Sequence, residues 1–260
     1  MEETLQRDID RIRGKVLEMA GRDERALQDG LQALLTKNRQ QAYTIILRDQ
    51  YIDELEKEID QLCLEFLVRQ QPVAGHLRFA YATIKINAEL ERIGDYAESI
   101  ARQILKISAL EPLPSYERFV EIANLSVPML RDAVRSFVDQ DAGLARTTMF
   151  VEEKVNALRD QINAELWYAE KTGQLKLEAL APLTMIARRY ERVSDQAKNI
   201  CEEVLFMCTG EYSKHTGADV FRILFLDDHN SCASQMAEAL GNSLRRLRLF
   251  FSSAGLEPQP

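Results

Sequence analysis

The stretch "ERIGDYAESI", Glu91 to Ile100, returns as "ERVSDQAKNI", Glu191 to Ile200, with Glu, Arg, Asp, Ala and Ile in the same places. Four residues separate Glu91 from Asp95 and Glu191 from Asp195, so on a helix each acidic pair shares one face, one turn apart. Like charges at that spacing cost an isolated helix about 0.2–0.5 kcal/mol. A chain that writes such a pair twice needs something to compensate it.

The surroundings of both phrases are helical. Apolar residues recur at three and four spacing from about Leu5 to Leu35 (Leu5, Ile9, Ile12, Val16, Met19), and a second periodic stretch runs from about Gln40 to Leu67. The segment "RQQPVAG" breaks it, a third stretch spans about Leu77 to Leu110, and "EPLPSYERF" separates two halves of similar size. The three-part pattern then returns near Tyr116 to Gln140, Ala142 to Lys171 and Leu175 to Cys208. "LRDQYIDEL" also matches "FVEEKVNAL" in pattern, which aligns Asp49, Ile52, Asp53 and Leu55 with Glu152, Val155, Asn156 and Leu158. The expected fold is all-α: two tandem antiparallel three-helix bundles related by internal duplication, over residues 1–110 and 111–212. A short C-terminal appendage follows over 213–260.

Composition narrows the function. A chain of 260 residues with 46% hydrophobic and 28% charged residues can build a sizeable core. Its net charge of −8 and pI near 5.1 argue against nucleic acid, whose recognition needs clustered Lys and Arg. No apolar run approaches the roughly 18 residues of a membrane span, and the start, "MEETLQRDIDRIRGK", is too charged for a secretory signal. A cytoplasmic protein without direct membrane insertion is expected. Cys63, Cys201, Cys208 and Cys232 form no CxxC pair and have no His at zinc-finger spacing, so buried free thiols are expected. Trp167 and the aromatics at helical spacing are assigned to core or interface rather than to ligand binding.

Two readings of the acids stand side by side. Glu91 with Asp95, facing Asp49 with Asp53 on a neighbouring helix, and the row Glu191, Asp195, Asn199 supply oxygen ligands suited to a divalent cation or iron. Alternatively, they pair with Arg92, Arg192 or Lys85 on a solvated face. Gly94, matched by Ser194, is small enough to let a neighbouring helix or a cluster come close, at about 1 kcal/mol of helix propensity relative to Ala. Arg78 and His76 are assigned a structural hydrogen-bonding role, with anion binding as the alternative, since no Gly-rich phosphate loop accompanies them.

The arrangement "QQPVAGHLRFAYATIKINAELERIGDYAESIA", repeated more loosely as "EALAPLTMIARRYERVSDQAKNICEEVL", resembles the PhoU family of phosphate-signalling regulators over about residues 1–212. The resemblance implies two three-helix bundles with ExxxD motifs on the third helices that hold metal clusters. It implies a first site of Glu91 and Asp95 with Asp49 and Asp53 opposite, and a second of Glu191, Asp195 and Asn199 with Glu152 opposite. The ions would be divalent or transition metals such as iron, zinc, manganese or magnesium. Ser99 at the place of Asn199, and Asn156 at the place of Asp53, imply that the two sites differ. The implied function is non-enzymatic: a homodimer that regulates phosphate uptake and phosphate-starvation signalling through a phosphate transporter ATPase and a membrane sensor kinase. A ferritin-like metal-storage or di-iron protein is the alternative, weakened because His76, His215 and His229 make no Glu-x-x-His motif.

The tail "VFRILFLDDHNSCASQMAEAL" is similar to the opening of the low-molecular-weight tyrosine phosphatase and arsenate reductase family. Asp227 stands at the position of that family's Cys nucleophile and Ala233 at that of its Arg, while Asn230, Ser231 and Ser234 remain. Without thiolate and guanidinium, a phosphate- or arsenate-processing enzyme is the least supported alternative.

Overall fold

The computed structural model describes residues 2–211, 221–230, 232–243 and 249–256. Residues 1–212 form one compact unit and 213–260 another. The linker over 213–220, His215 and Ser231 lie outside the described residues.

The first unit is helical throughout: α1 (Glu2–Thr36), α2 (Arg39–Arg48), α3 (Gln50–Gln70), α4 (Ala74–Ile107), α5 (Glu117–Asp139), α6 (Ala142–Met149), α7 (Val151–Lys171) and α8 (Leu177–Thr209). The middle stretch of each half, continuous by its periodicity, is interrupted by one residue, Asp49 in the first half and Phe150 in the second. The interruption has a consequence for charge. It puts Asp49 at the N-terminal end of α3 and Glu152 in the first turn of α7, where the helix dipole favours an anion.

Duplication extends to the turns. Lys37 and Gln140 both take left-handed backbone angles, φ 54° and 52°, at the ends of α1 and α5. Asn38 and Asp141 then cap α2 and α6, accepting from the Gln41 amide at 3.1 Å and from the Gly143 and Leu144 amides at 2.8 and 2.9 Å. Buried positions repeat as well: Val16, Met19, Ala20, Leu27 and Leu34 on α1 correspond to Phe119, Ile122, Ala123, Leu130 and Phe137 on α5.

The two halves share their core. α4 and α8 make the most extensive helix–helix contact, and α1 packs on α5 as well as on α3 and α4. Phe79 of α4 stacks on Phe137 of α5 at 5.7 Å and meets the edge of Phe66 of α3 at 6.3 Å, so three helices from both halves converge on one ring. Tyr190 of α8 is fully buried and donates its hydroxyl to the Leu27 carbonyl of α1 at 3.0 Å. Cys63 and Cys201 are buried, but Cys232 is exposed, contrary to the expectation of four buried thiols. Trp167 is 53% exposed and so is no core residue.

The second unit holds β1 (Phe221–Asp227), α9 (Ala233–Ser243) and β2 (Leu249–Gly255), the last an unexpected strand that pairs in parallel with β1. Its sequence, "LFFSSAG", lacks the β-branched alternation that marks a strand. Phe225 stacks on Phe251 at 6.1 Å across the pair.

Phe79→Ala is expected to destabilise the first unit by about 3–5 kcal/mol, since a fully packed ring is replaced by a cavity. Urea unfolding followed by circular dichroism measures it.

Candidate functional site

α3 and α4 lie against each other and against α1, which brings Asp49, Asp53, Glu91 and Asp95 to one face. Glu56 and Glu98 join them. A further acid, not apparent from spacing along the chain, is Asp23 of α1, fully buried, with no hydrogen-bond partner for either carboxyl oxygen. A Cβ built on Gly94 would stand 3.3 Å from Asp23 Oδ1 and 2.8 and 3.0 Å from two Ile52 atoms. Gly94 is therefore small because α1 and α3 both press on α4 there. Beside it opens a cleft of 380 Å³ lined by Arg22, Asp49, Tyr51, Ile52 and Glu98, among others.

The electrostatics agree with crowding. Burial, then the charges of Asp49 and Glu91, hold the Asp23 carboxyl well above the usual range. Burial, then Glu98, Asp53 and Asp95, push Asp49 up to about 6. Glu91, Asp95 and Glu56 are raised too, by burial first and neighbouring acids second. Among the described residues, Asp23, Asp49, Asp53, Glu56, Glu91 and Asp95 form no ion pair within 4 Å, whereas Glu98 pairs with Arg102 at 2.5 Å. Also among the described residues, no group of three or more His, Cys, Asp or Glu side chains is arranged to hold a metal ion. Carboxylate-rich faces of this kind suit hard cations such as magnesium or manganese, and iron. Asp23 supplies the fit, because two sealed oxygens without donors require a proton or a cation.

The second set differs. Glu191 is buried and accepts from Arg159 Nη1 at 2.8 Å, with Arg192 Nε 3.6 Å from its other oxygen. Asp195 accepts from Arg192 Nη1 at 3.0 Å, and Glu152 is bonded to Lys198. Asn199 turns to Glu89 of the first half at 3.3 Å. The ion-pair alternative thus describes this half through Arg192, joined by Arg159 and Lys198, which the sequence reading missed. Arg92 instead contacts Glu89 and Lys85 contacts Glu203, both at 3.3 Å.

Elsewhere, Arg78 Nε donates to the Met207 carbonyl at the end of α8 at 3.2 Å, a structural role. In the tail, the Asp227 carboxylate accepts from the His229 and Ser234 amides, each at 3.2 Å, and from the Ser234 hydroxyl at 2.8 Å. It is committed to holding its own loop.

The PhoU domain model matches residues 16–104 and again 119–204. The chain belongs to the PhoU family. Curated relatives are named phosphate-specific transport system accessory protein PhoU, or its homologue. That of Aquifex aeolicus is 31% identical over 209 residues, covering 80% of this chain and 95% of its own. That of Escherichia coli is 27% identical over 212 residues, covering 82% and 88%. The crystal structure of PhoU from Pseudomonas aeruginosa superposes with a TM-score of 0.75 at 26% identity, over 79% of this chain and 99% of that one. PhoU from Streptococcus pneumoniae, at 24% identity and the same TM-score over 80% of this chain and 98% of its own, shares the fold. The two PhoU matches contain all eight acids and amides named from the sequence, and Asp23, but not the β1–α9–β2 tail. No helix among the described residues is long and apolar enough to cross a membrane.

Asp49 ionises near its ordinary 3.8 when unfolded but only near 6 when folded, so across that window the folded chain holds the extra proton. A raised carboxylate costs stability as pH rises. In metal-depleted protein, Asp49→Asn is expected to gain stability relative to wild type between about pH 4 and 6 and to keep the gain above that. Urea midpoints across this range measure it; a difference independent of pH contradicts the crowding.

Proposed function

We propose that this chain is a metal-binding, non-enzymatic regulator of phosphate uptake and phosphate-starvation signalling that works through a phosphate transporter ATPase and a membrane sensor kinase. Membership of the PhoU family, with relatives named as accessory proteins of a phosphate transport system, supports the regulatory part. One observation carries the metal part: Asp23, buried with both oxygens unpartnered, feels the charges of Asp49 and Glu91, and those two acids with Asp53 and Asp95 form no ion pair among the described residues. A bound cation would supply the missing positive charge, with these residues as its ligands. Iron, manganese, magnesium and zinc are the candidates, the first three better matched to oxygen donors. The ion would fasten α1, α3 and α4 together and set the shape of the face a partner meets. A cytoplasmic homodimer is the form in which we expect it to act.

Elemental analysis of protein purified without chelator is expected to find at least one such ion per chain. Asp53→Ala/Asp95→Ala should lose most of it while keeping its helical content. In cells, that variant should no longer hold a phosphate-starvation reporter off at high phosphate, whereas wild type should. Metal-free wild type after challenge with all four ions would overturn the metal part, and a reporter indifferent to deletion of the chain would overturn the regulatory part.

A further inference from the structure

The duplication gives every acid of the first half a counterpart, and the buried pattern fixes the register. On α4 and α8 it is 100 positions: Phe79, Ala80, Ile86, Leu90, Ile93, Ala97 and Ile100 are buried, as are Ala179, Leu180, Ile186, Tyr190, Val193, Ala197 and Ile200. On α1 with α5, and α3 with α7, it is 103, as Ile52, Leu55, Ile59 and Phe66 correspond to Val155, Leu158, Ile162 and Ala169. In that register Glu91 and Asp95 keep their acids as Glu191 and Asp195, and Asp49 keeps its charge as Glu152.

The other four acids do not. Asp23 becomes Ser126, whose buried hydroxyl donates to the Ile122 carbonyl of its own helix at 2.9 Å. Asp53 becomes Asn156. Glu56 becomes Arg159, the donor to Glu191, and Glu98 becomes Lys198, the partner of Glu152. Two of the four changes reverse charge, and both new cations bond to the acids that remain. A third follows one turn away: Glu89, which draws Arg92 in the first half, is Arg189 in the second, and Arg192 contacts Asp195 and Glu191 instead.

We infer that Arg159 and Lys198 are built-in replacements for the metal ion, so that the second acidic motif is a closed ion-pair lock and each chain binds metal only in its first half. This rests on the metal reading above for the first half. The lock itself needs no metal. A guanidinium donating to a buried carboxylate fills the position at which an ion would enter, and removing the carboxylate leaves Arg159 only the exposed Asp160 as a partner. Binding a divalent ion there would place it against two fixed positive charges, which repel it.

Two measurements test this separately from the parent reading. Metal-depleted chains are titrated with Mn²⁺ and their bound ion counted: wild type, Asp53→Ala/Asp95→Ala, and Ser126→Asp/Asn156→Asp/Arg159→Glu/Lys198→Glu, which restores the four first-half acids. The first-half variant should fall to near zero, and the second-half variant should bind more than wild type. Metal retained by the first-half variant and lost on changing Glu191 and Asp195 would overturn the inference. The second measurement is the melting temperature without metal. Glu191→Gln should lower it by about 2–4 °C by taking from Arg159 its buried partner and leaving only the exposed Asp160, while Glu91→Gln, at the same place in the other half, should leave it unchanged or raise it. If wild type takes up no Mn²⁺, the parent reading fails alone and the melting comparison still decides the lock: equal effects of the two Gln variants would overturn it.

Discussion

A carboxylic acid shut away from water, with no donor for either oxygen, has two stable states: protonated, or beside a cation. Asp23 is in that position, and its surroundings follow from it. α4 carries a glycine where α1 and α3 close on it, because even a methyl group at Gly94 would run into Ile52 and approach Asp23. Asp49 stands at the start of α3, and its charge acts on Asp23. The three helices that meet here thus gather carboxylates that make no ion pair among the described residues, with the nearest basic side chains only at the rim of the cleft.

The second half shows what the same architecture does when the charge is balanced internally. Its buried positions follow those of the first closely, so packing has constrained the copies alike. Charge has not. A serine that bonds to its own helix stands for the buried acid, and Arg159 and Lys198 stand for two more. Burial still holds Glu191 and Asp195 above the ordinary carboxylate range, but basic side chains pull both back. The shared core, with Phe79 stacked on Phe137 and Tyr190 bonded to Leu27, joins an uncompensated site and a compensated one in one body.

Much of this was legible in the sequence. Helical periodicity and the duplicated phrase gave the fold, because core positions repeat whatever their neighbours do. The acids on α3 and α4 could be named because both motifs repeat. Asp23 could not, since "GRDERALQDG" holds several charges and nothing in the local pattern says which one points inward. The register between α1 and α5 would have singled it out as the acid aligned with Ser126 on a buried stripe. Arg159 and Lys198 were missed for a related reason: each pairs across helices, with Glu191 and Glu152, and such partners are set by packing rather than by spacing along the chain. β2 escaped because "LFFSSAG" carries no alternation, and its pairing with β1 is non-local.

The most direct test of the account is a pair of thermal melts on Asp23→Asn, with metal removed and with Mn²⁺ restored, beside wild type. The substitution keeps the size of the buried side chain and deletes its charge. If Asp23 is held for a cation, the variant is at least as stable as wild type without metal and loses most of the stabilisation that Mn²⁺ gives wild type. A variant that Mn²⁺ stabilises as much as it does wild type would contradict the account.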